Sequence, residues 1–185
     1  MVITTAKPTS LESFLDLPET KPAAEFINGQ ITQKTMPQGE HSRLQVKLCT
    51  DINQVTETPK IAYAFSELRC SFGGASIVPD ISVFRWERIP RNPSGRIVNR
   101  FELHPDWAIE ILSPDQRQNK VVANLLHCIE YGTELGWLLD PKDENILVIF
   151  GDRRIQIFEG SQSLPVLGDI DLNLTPAQIF EWLSF

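Results

Sequence analysis

Two acidic side chains stand where apolar strands would be expected to carry none. In VPDISVFRW, Asp80 opens a strand-like run, and in DWAIEILS, Glu110 interrupts a run that is otherwise nearly all apolar. A carboxylate buried there without a partner is costly, so Glu110 must face a cleft, a cation or a hydrogen-bond donor. Two carboxylates from neighbouring strands, with a backbone carbonyl and waters, supply the oxygen ligands that a hard cation such as Mg2+ requires, with Mn2+ as the alternative. The carbonyl of Ile111 is the natural third ligand. Without a cation the two acids repel and one tends to keep a proton; a divalent ion removes that conflict. Taken alone, each acid could equally cap a turn or pair with an arginine.

Other groups could join them. Glu25 lies just before a hairpin, within reach of the following helix, and reads equally as a site residue or a surface acid. His41 falls on the apolar side of its helix, either as a packed core histidine or as a cleft histidine that touches phosphate or positions water. His104 and His127 lie in a loop and on a helix edge. No H-E-x-x-H or Cys-His spacing exists, which leaves zinc chemistry almost without support. No G-x-S-x-G elbow surrounds a serine, and neither a phosphate loop nor G-x-G-x-x-G is present, so acyl transfer and a nucleotide cofactor lose their signatures. Ser113 and Asp115 read as a helix start. Arg88, Arg91, Arg96 and Arg100 form the densest positive run of the chain, either a solvated loop or a flap that contacts phosphate. Trp86, Trp107, Trp137 and Trp182 read as core.

These residues need elements to hold them. The 185 residues, 42% of them hydrophobic, suffice for one domain with a sizeable core. The reading is a single domain over 1–185, with 1–20 as an N-terminal helical extension. AAEFINGQITQKTM reads as a hairpin turning at Asn28-Gly29, and His41, Leu44, Leu48, Ile52 and Val55 mark an amphipathic helix from Gln38 to about Glu57. Strands follow in IAYAFSELRCSF and SIVPDISVFRW, then an irregular excursion from Arg88 and the strand DWAIEILS. A helix carrying Val121, Val122, Leu125, Leu126 and Ile129 comes next. WLLD, ILVIF and RIQIF are three short strands, and Thr175 caps a terminal helix that starts at Pro176. This order predicts an α/β (α+β) domain, a mixed sheet flanked by helices. Acidic residues outnumber basic ones 24 to 17, a net charge of -7, which opposes loose attraction to nucleic acid and leaves DNA binding to a local basic surface or bound cations. Cys49, Cys70 and Cys128 are isolated and read as buried thiols. No apolar run is long enough to cross a membrane, so a cytoplasmic protein is expected, with no membrane partner.

The runs EFINGQITQKTMPQGEHSRLQ, VPDISVFRWERIP, PDWAIEILSPDQRQNK and HCIEYGTELGWLLDP, in that order, resemble a large bacterial family, especially numerous in cyanobacteria, of uncharacterised restriction-endonuclease-like proteins in the PD-(D/E)XK nuclease superfamily. The resemblance implies a restriction-endonuclease-like core with Asp80 and Glu110 as the two motif acids, Glu25 as an N-terminal acid and His41 near the same cleft. Gln30 stands where many relatives have an acid. Two residues beyond Glu110 the pattern asks for lysine, and Leu112 stands there. Relatives commonly move the basic residue into the next helix, where the corresponding position is Asn124. Lys120 lies one turn earlier on the same face, and Lys34 on the second hairpin strand is the competing donor. The implied activity is metal-dependent hydrolysis of DNA by Asp80, Glu110, Glu25, His41 and Lys120 or Lys34. The alternative is a catalytically inactive nuclease-fold module that binds DNA or regulates. A third reading is a protein-interaction domain, a homodimer assembled through a sheet edge or through the terminal helix around Phe180, Trp182 and Phe185. A homodimer suits all three.

Overall fold

A computed structural model describes residues 10–114 and 116–184. The chain opens with α1 (Leu11–Leu15), capped by Ser10, and runs into the hairpin β1 (Ala24–Ile27) and β2 (Gln30–Gln33). Asn28 and Gly29 both take positive φ, 51° and 73°, the conformation that an Asn-Gly hairpin turn requires. Helix α2 (Gly39–Thr56) follows and buries His41, Leu44, Gln45, Leu48 and Ile52. Its apolar residues recur at three and four, so one stripe faces the sheet.

Each of the next two strand-like runs divides between two sheets. IAYAFSELRCSF forms β3 (Ala62–Ser66) and β4 (Cys70–Phe72), with a break at Glu67, whose φ is 49°. SIVPDISVFRW forms β5 (Ala75–Ile77) and β6 (Ile81–Arg85) on either side of Val78-Pro79-Asp80. Pro79 has no N–H to give a ladder, so the strand ends there and the chain crosses to the other sheet. A four-stranded antiparallel sheet has the order β2-β1-β5-β4. A one-turn 3-10 helix (Trp86–Arg88) and an irregular stretch lead to β7 (Trp107–Ile111), and α3 (Gln118–Glu130) crosses to β8 (Leu135–Asp140). Then come β9 (Asn145–Phe150), β10 (Ile155–Glu159) and α4 (Pro176–Glu181), which has a Thr175–Gln178 capping box. The second sheet is six-stranded and mixed, in the order β10-β9-β8-β7-β6-β3, with β7 and β8 parallel across the α3 crossover.

The two faces of this sheet carry separate cores. Trp107, Ile109 and Ile111 pack with Leu44, Leu48 and Ile52 of α2 and with Ile179 and Phe180 of α4. Ala108, Leu138 and Ile149 pack with Val121, Leu125 and Cys128 of α3 and with Cys70 and Ile77 of the smaller sheet. Trp107 and Trp137 are fully buried, their rings 4.6 Å apart edge to face. Cys70 and Cys128 are buried and Cys49 is partly so. Helix α3 starts at Gln118 after Arg117, which gives no side-chain cap. The expected cap at Asp115, residues 1–9 of the N-terminal extension and Phe185 lie outside the described residues. No helix among the described residues is long and apolar enough to cross a membrane.

Candidate active site at the joint of two sheets

Antiparallel pairing of β6 with β7 sets Ile81 opposite Ile109, which carries Asp80, one residue before the strand, alongside Glu110. Alternation along β7 turns Glu110 away from the Trp107 face, toward the α3 side. Both acids are almost fully buried. Lys34 extends the hairpin beyond β2 and reaches between them: its Nζ donates to Asp80 Oδ1 at 2.7 Å, to the Val78 carbonyl at 2.7 Å and to Glu110 Oε2 at 3.2 Å. The competing lysine of the sequence reading therefore stands at the centre of the acids. Lys120 is exposed on the first turn of α3 and lines a shallow hollow with Arg117, Gln118 and Asn119.

The remaining bonds fix the acids. Asp80 Oδ2 accepts from the Ile111 N–H at 2.7 Å and lies 3.0 Å from His41 Nε2, and the Asp80 carbonyl accepts from Gln45 Nε2 at 2.8 Å. Ile111 thus meets the site through its amide. Glu25, on β1, accepts from the Val78 N–H at 2.9 Å and from Asn124 Nδ2 at 3.2 Å. Asn124, the helix position where the resemblance puts a lysine, meets an acid without a charge. With an ionised carboxylate as its neighbour, His41 Nε2 is the donor, and Nδ1 is a buried atom with no partner among the described residues.

Three buried acids around one ammonium make a charge imbalance. Burial alone would weaken the Lys34 ammonium, but Glu110, Asp80 and Glu25 outweigh it and hold the pKa above the ordinary lysine value. Burial likewise pushes Asp80 up, yet the Lys34 charge and His41 hold its carboxyl well below the usual carboxylate range. Glu110 goes the other way. Burial raises it strongly, Lys34 offsets only part of that, and Asp80 and Glu25 add to the rise, so of the two motif acids Glu110 is the one whose proton is held more tightly than usual.

The site opens on a cleft of about 390 Å³ lined by Lys34, Thr35, His41, Val78, Asp80 and Gln116 among others. A second cleft of about 930 Å³, bounded by the start of α2 and the ends of β7 and β8, shares His41 with it. Among the described residues no three His, Cys, Asp or Glu side chains are grouped as a metal site. The atoms around Lys34 Nζ are nonetheless all oxygens, two carboxylate and one carbonyl, which fits a hard cation in kind.

The arginine run does not converge. Arg88 Nη1 pairs with Asp106 Oδ1 at 2.5 Å, and Arg91 bonds the Trp86 carbonyl and stacks on its ring. Arg96 and Arg100 are exposed, with Arg100 beside Arg69 and Glu19 in another hollow. Sequence reasoning missed Gln45 and Val78. The i,i+4 spacing of His41 and Gln45 was a signal for Gln45; Val78 acts through its backbone and left none.

A mixed sheet flanked by helices, with the PD acid and a second acid on adjacent strands, defines a restriction-endonuclease-like fold. The chain belongs to the Uma2 family, described as "Putative restriction endonuclease", whose pattern matches residues 11–176. It is similar to a crystal structure described as a putative nuclease belonging to DUF820 from Anabaena variabilis ATCC 29413. Identity is 49% and the TM-score 0.93, over 95% of this chain and 99% of that one. No curated protein matches the chain.

Proposed function

We propose that the protein is a divalent-metal-dependent endonuclease that hydrolyses phosphodiester bonds in DNA. The observation that carries this reading is the convergence of Asp80 Oδ1, Glu110 Oε2 and the Val78 carbonyl on one buried cationic point at the wall of a cleft. Asp80 and Glu110 would hold Mg2+ or Mn2+, with the Ile111 carbonyl and Glu25 as further oxygen donors. When bound, the ion polarises a phosphoryl oxygen and acidifies water. Lys34 then carries the role that the motif gives to a lysine after Glu110: its ammonium, charged at every physiological pH, neutralises charge developing on the phosphoryl oxygens. His41, anchored through Nε2 on Asp80, offers Nδ1 to orient water or accept its proton. Arg96 and Arg100 have the exposure that backbone phosphate contacts need; Arg88 and Arg91 are engaged within the chain. Lys120, on the solvent side of α3, is the weaker candidate for the basic group.

One observation favours the alternative, a catalytically inactive DNA-binding or regulatory homodimer: Lys34 already serves the two acids as an internal counter-ion. Plasmid cleavage separates the two readings. Purified protein in Mg2+ or Mn2+ is expected to nick or linearise supercoiled DNA. Asp80→Ala, Glu110→Ala and Lys34→Met are each expected to lose at least about 100-fold in rate, whereas Lys120→Ala keeps the parental rate. Equal cleavage by the parent and both acid variants refutes the assignment. No cleavage by any of them, with no heat of Mg2+ or Mn2+ binding that depends on Asp80, supports the alternative.

A further inference from the structure

The geometry points to a second copy of this chain as the partner of the free edge of the six-stranded sheet, joined antiparallel through β10 about a twofold axis at Gln156. Strand β10 pairs with β9 on one side and with no strand on the other among the described residues. The Phe150 N–H donates to the Arg154 carbonyl at 2.9 Å, so even-numbered residues aim their backbone groups at β9 and odd-numbered ones aim theirs outward. Glu159 shows the outward direction: its N–H donates to Gln162 Oε1 at 2.7 Å and its carbonyl accepts from the Gln162 N–H. That turn closes one end of the edge. The outward groups of Ile155 and Ile157 stay open, and their side chains are 48% and 54% exposed. Both lie on the α3 side of the sheet, where α3 packs on β7, β8 and β9 and leaves β10 bare.

Natural edges are blunted by inward charges, proline or bulges, and an apolar edge with open amides is a template for pairing. Here the template is complementary to itself. Along β10 the odd residues Ile155, Ile157 and Glu159 share one face, and Arg153 stands two residues before the strand, in the turn, with a φ of 68°. Centred on Gln156, an antiparallel pair sets Ile155 opposite Ile157 of the partner subunit, each such pair exchanging both N–H···O bonds, and brings the turn that carries Arg153 to the strand end where Glu159 of the partner subunit stands. Arg153 is free to turn to it, since its contact with Glu130 is a long 3.9 Å between exposed groups. Moving the axis to Ile157 would place Ile155 against Glu159, whose backbone groups Gln162 already holds, and would strand Arg153. Charge and hydrogen bonding therefore select the Gln156 register. The result is a continuous sheet of both subunits with a twofold, isologous interface.

Sedimentation of the full chain tests this without reference to cleavage. The parent is expected to sediment as a concentration-dependent dimer, and the exposed double variant Ile155→Lys with Ile157→Lys as a folded monomer with unchanged circular dichroism. Arg153→Glu and Glu159→Arg each break both symmetry-related pairs and are expected to weaken the dimer about 10-fold, with the combined reversal restoring it. Gln156→Cys, opposite itself across the axis at a non-hydrogen-bonded position, is expected to cross-link through that thiol under mild oxidation, while the parent with its three cysteines does not. A parent that stays monomeric at about 100 μM, where an interface with micromolar dissociation would be dimeric, overturns the inference. So does a dimer indifferent to the two lysines, or a combined charge reversal no better than the single ones.

Discussion

Lys34→Met keeps the length and most of the volume of the side chain and deletes only the ammonium between Asp80 and Glu110. Three acids, Glu25, Asp80 and Glu110, exposed by 4%, 2% and 3%, then remain with no buried ammonium beside them. Removing one partner of a buried ion pair costs about 3–5 kcal/mol. The raised pKa of Glu110 lets that acid take up a proton more readily than Asp80, which places the loss at the low end, about 3 kcal/mol. The pH dependence carries more information than the size. Asp80 in the parent is held below its usual range, so it contributes stability at neutral pH that is lost as pH falls below about 4. Glu110 has the opposite sign: its raised pKa makes ionisation oppose folding, and stability drains as pH climbs above about 4.3. Without Lys34, Asp80 joins Glu110 in the second class. The deficit of the variant is therefore already present near pH 4.5, where the contribution of Asp80 in the parent is complete, and widens further toward pH 8 as both acids of the variant resist ionisation. Lys34 itself holds its contribution up to pH values above about 10.4 and adds no slope in this window. Urea unfolding of parent and variant at the two pH values, with a chelator present, measures both quantities. A deficit below about 1 kcal/mol, the range of an exposed ion pair, or one that is equal at both pH values, would refute the account of Lys34 as the counter-ion of this site.

Asn124→Asp sets a second carboxylate on Glu25 in place of an amide donor, and is expected to destabilise the fold by about 3 kcal/mol above pH 6 and by much less near pH 4, where the pair shares a proton; thermal melts across that range check it. The thiols make a separate prediction: burial pushes Cys49 up to about 11 and Cys70 up to about 12, and raises Cys128 well above its ordinary value. At pH 8 a disulfide reagent should then label native protein only slowly, and at Cys49 first, while all three react at once in denaturant. Rapid native labelling of Cys70 or Cys128 would contradict their packing.

Much of this site was legible because its chemistry is written against the grain of its elements. Glu110 stood out as a charge inside an apolar strand, and Asp80 by its Pro-Asp step. The register that joins them follows from pairing β6 with β7. The α2 periodicity set His41 on the buried stripe, and the Asn-Gly turn fixed the hairpin that brings Glu25 and Lys34 to the same end. The choice between Lys34 and Lys120 was not legible. Helical spacing puts Lys120 on the face of Asn124, but it says nothing of depth, and the first turn of α3 lies in solvent while the second meets Glu25. The division of each long strand-like run into two sheets was hidden too, since Ser66 to Arg69 and Val78 to Asp80 read locally as extended chain. The arginines looked like a patch because they are close in sequence; the irregular backbone between Arg88 and Arg100 disperses them.

The crossover at Val78-Pro79-Asp80 ties the two sheets and the chemistry into one knot. Glu25 and Lys34 ride on the small sheet, Asp80 and Glu110 on the large one, and Val78 holds both of the former through its two peptide groups. The small sheet is anchored to the large one both through the Lys34 bonds and through Cys70 and Ile77 in the shared core. The placing of the hairpin and the acidity of Glu110 are thereby linked, since the ammonium that the hairpin delivers is the group that offsets part of the rise in Glu110.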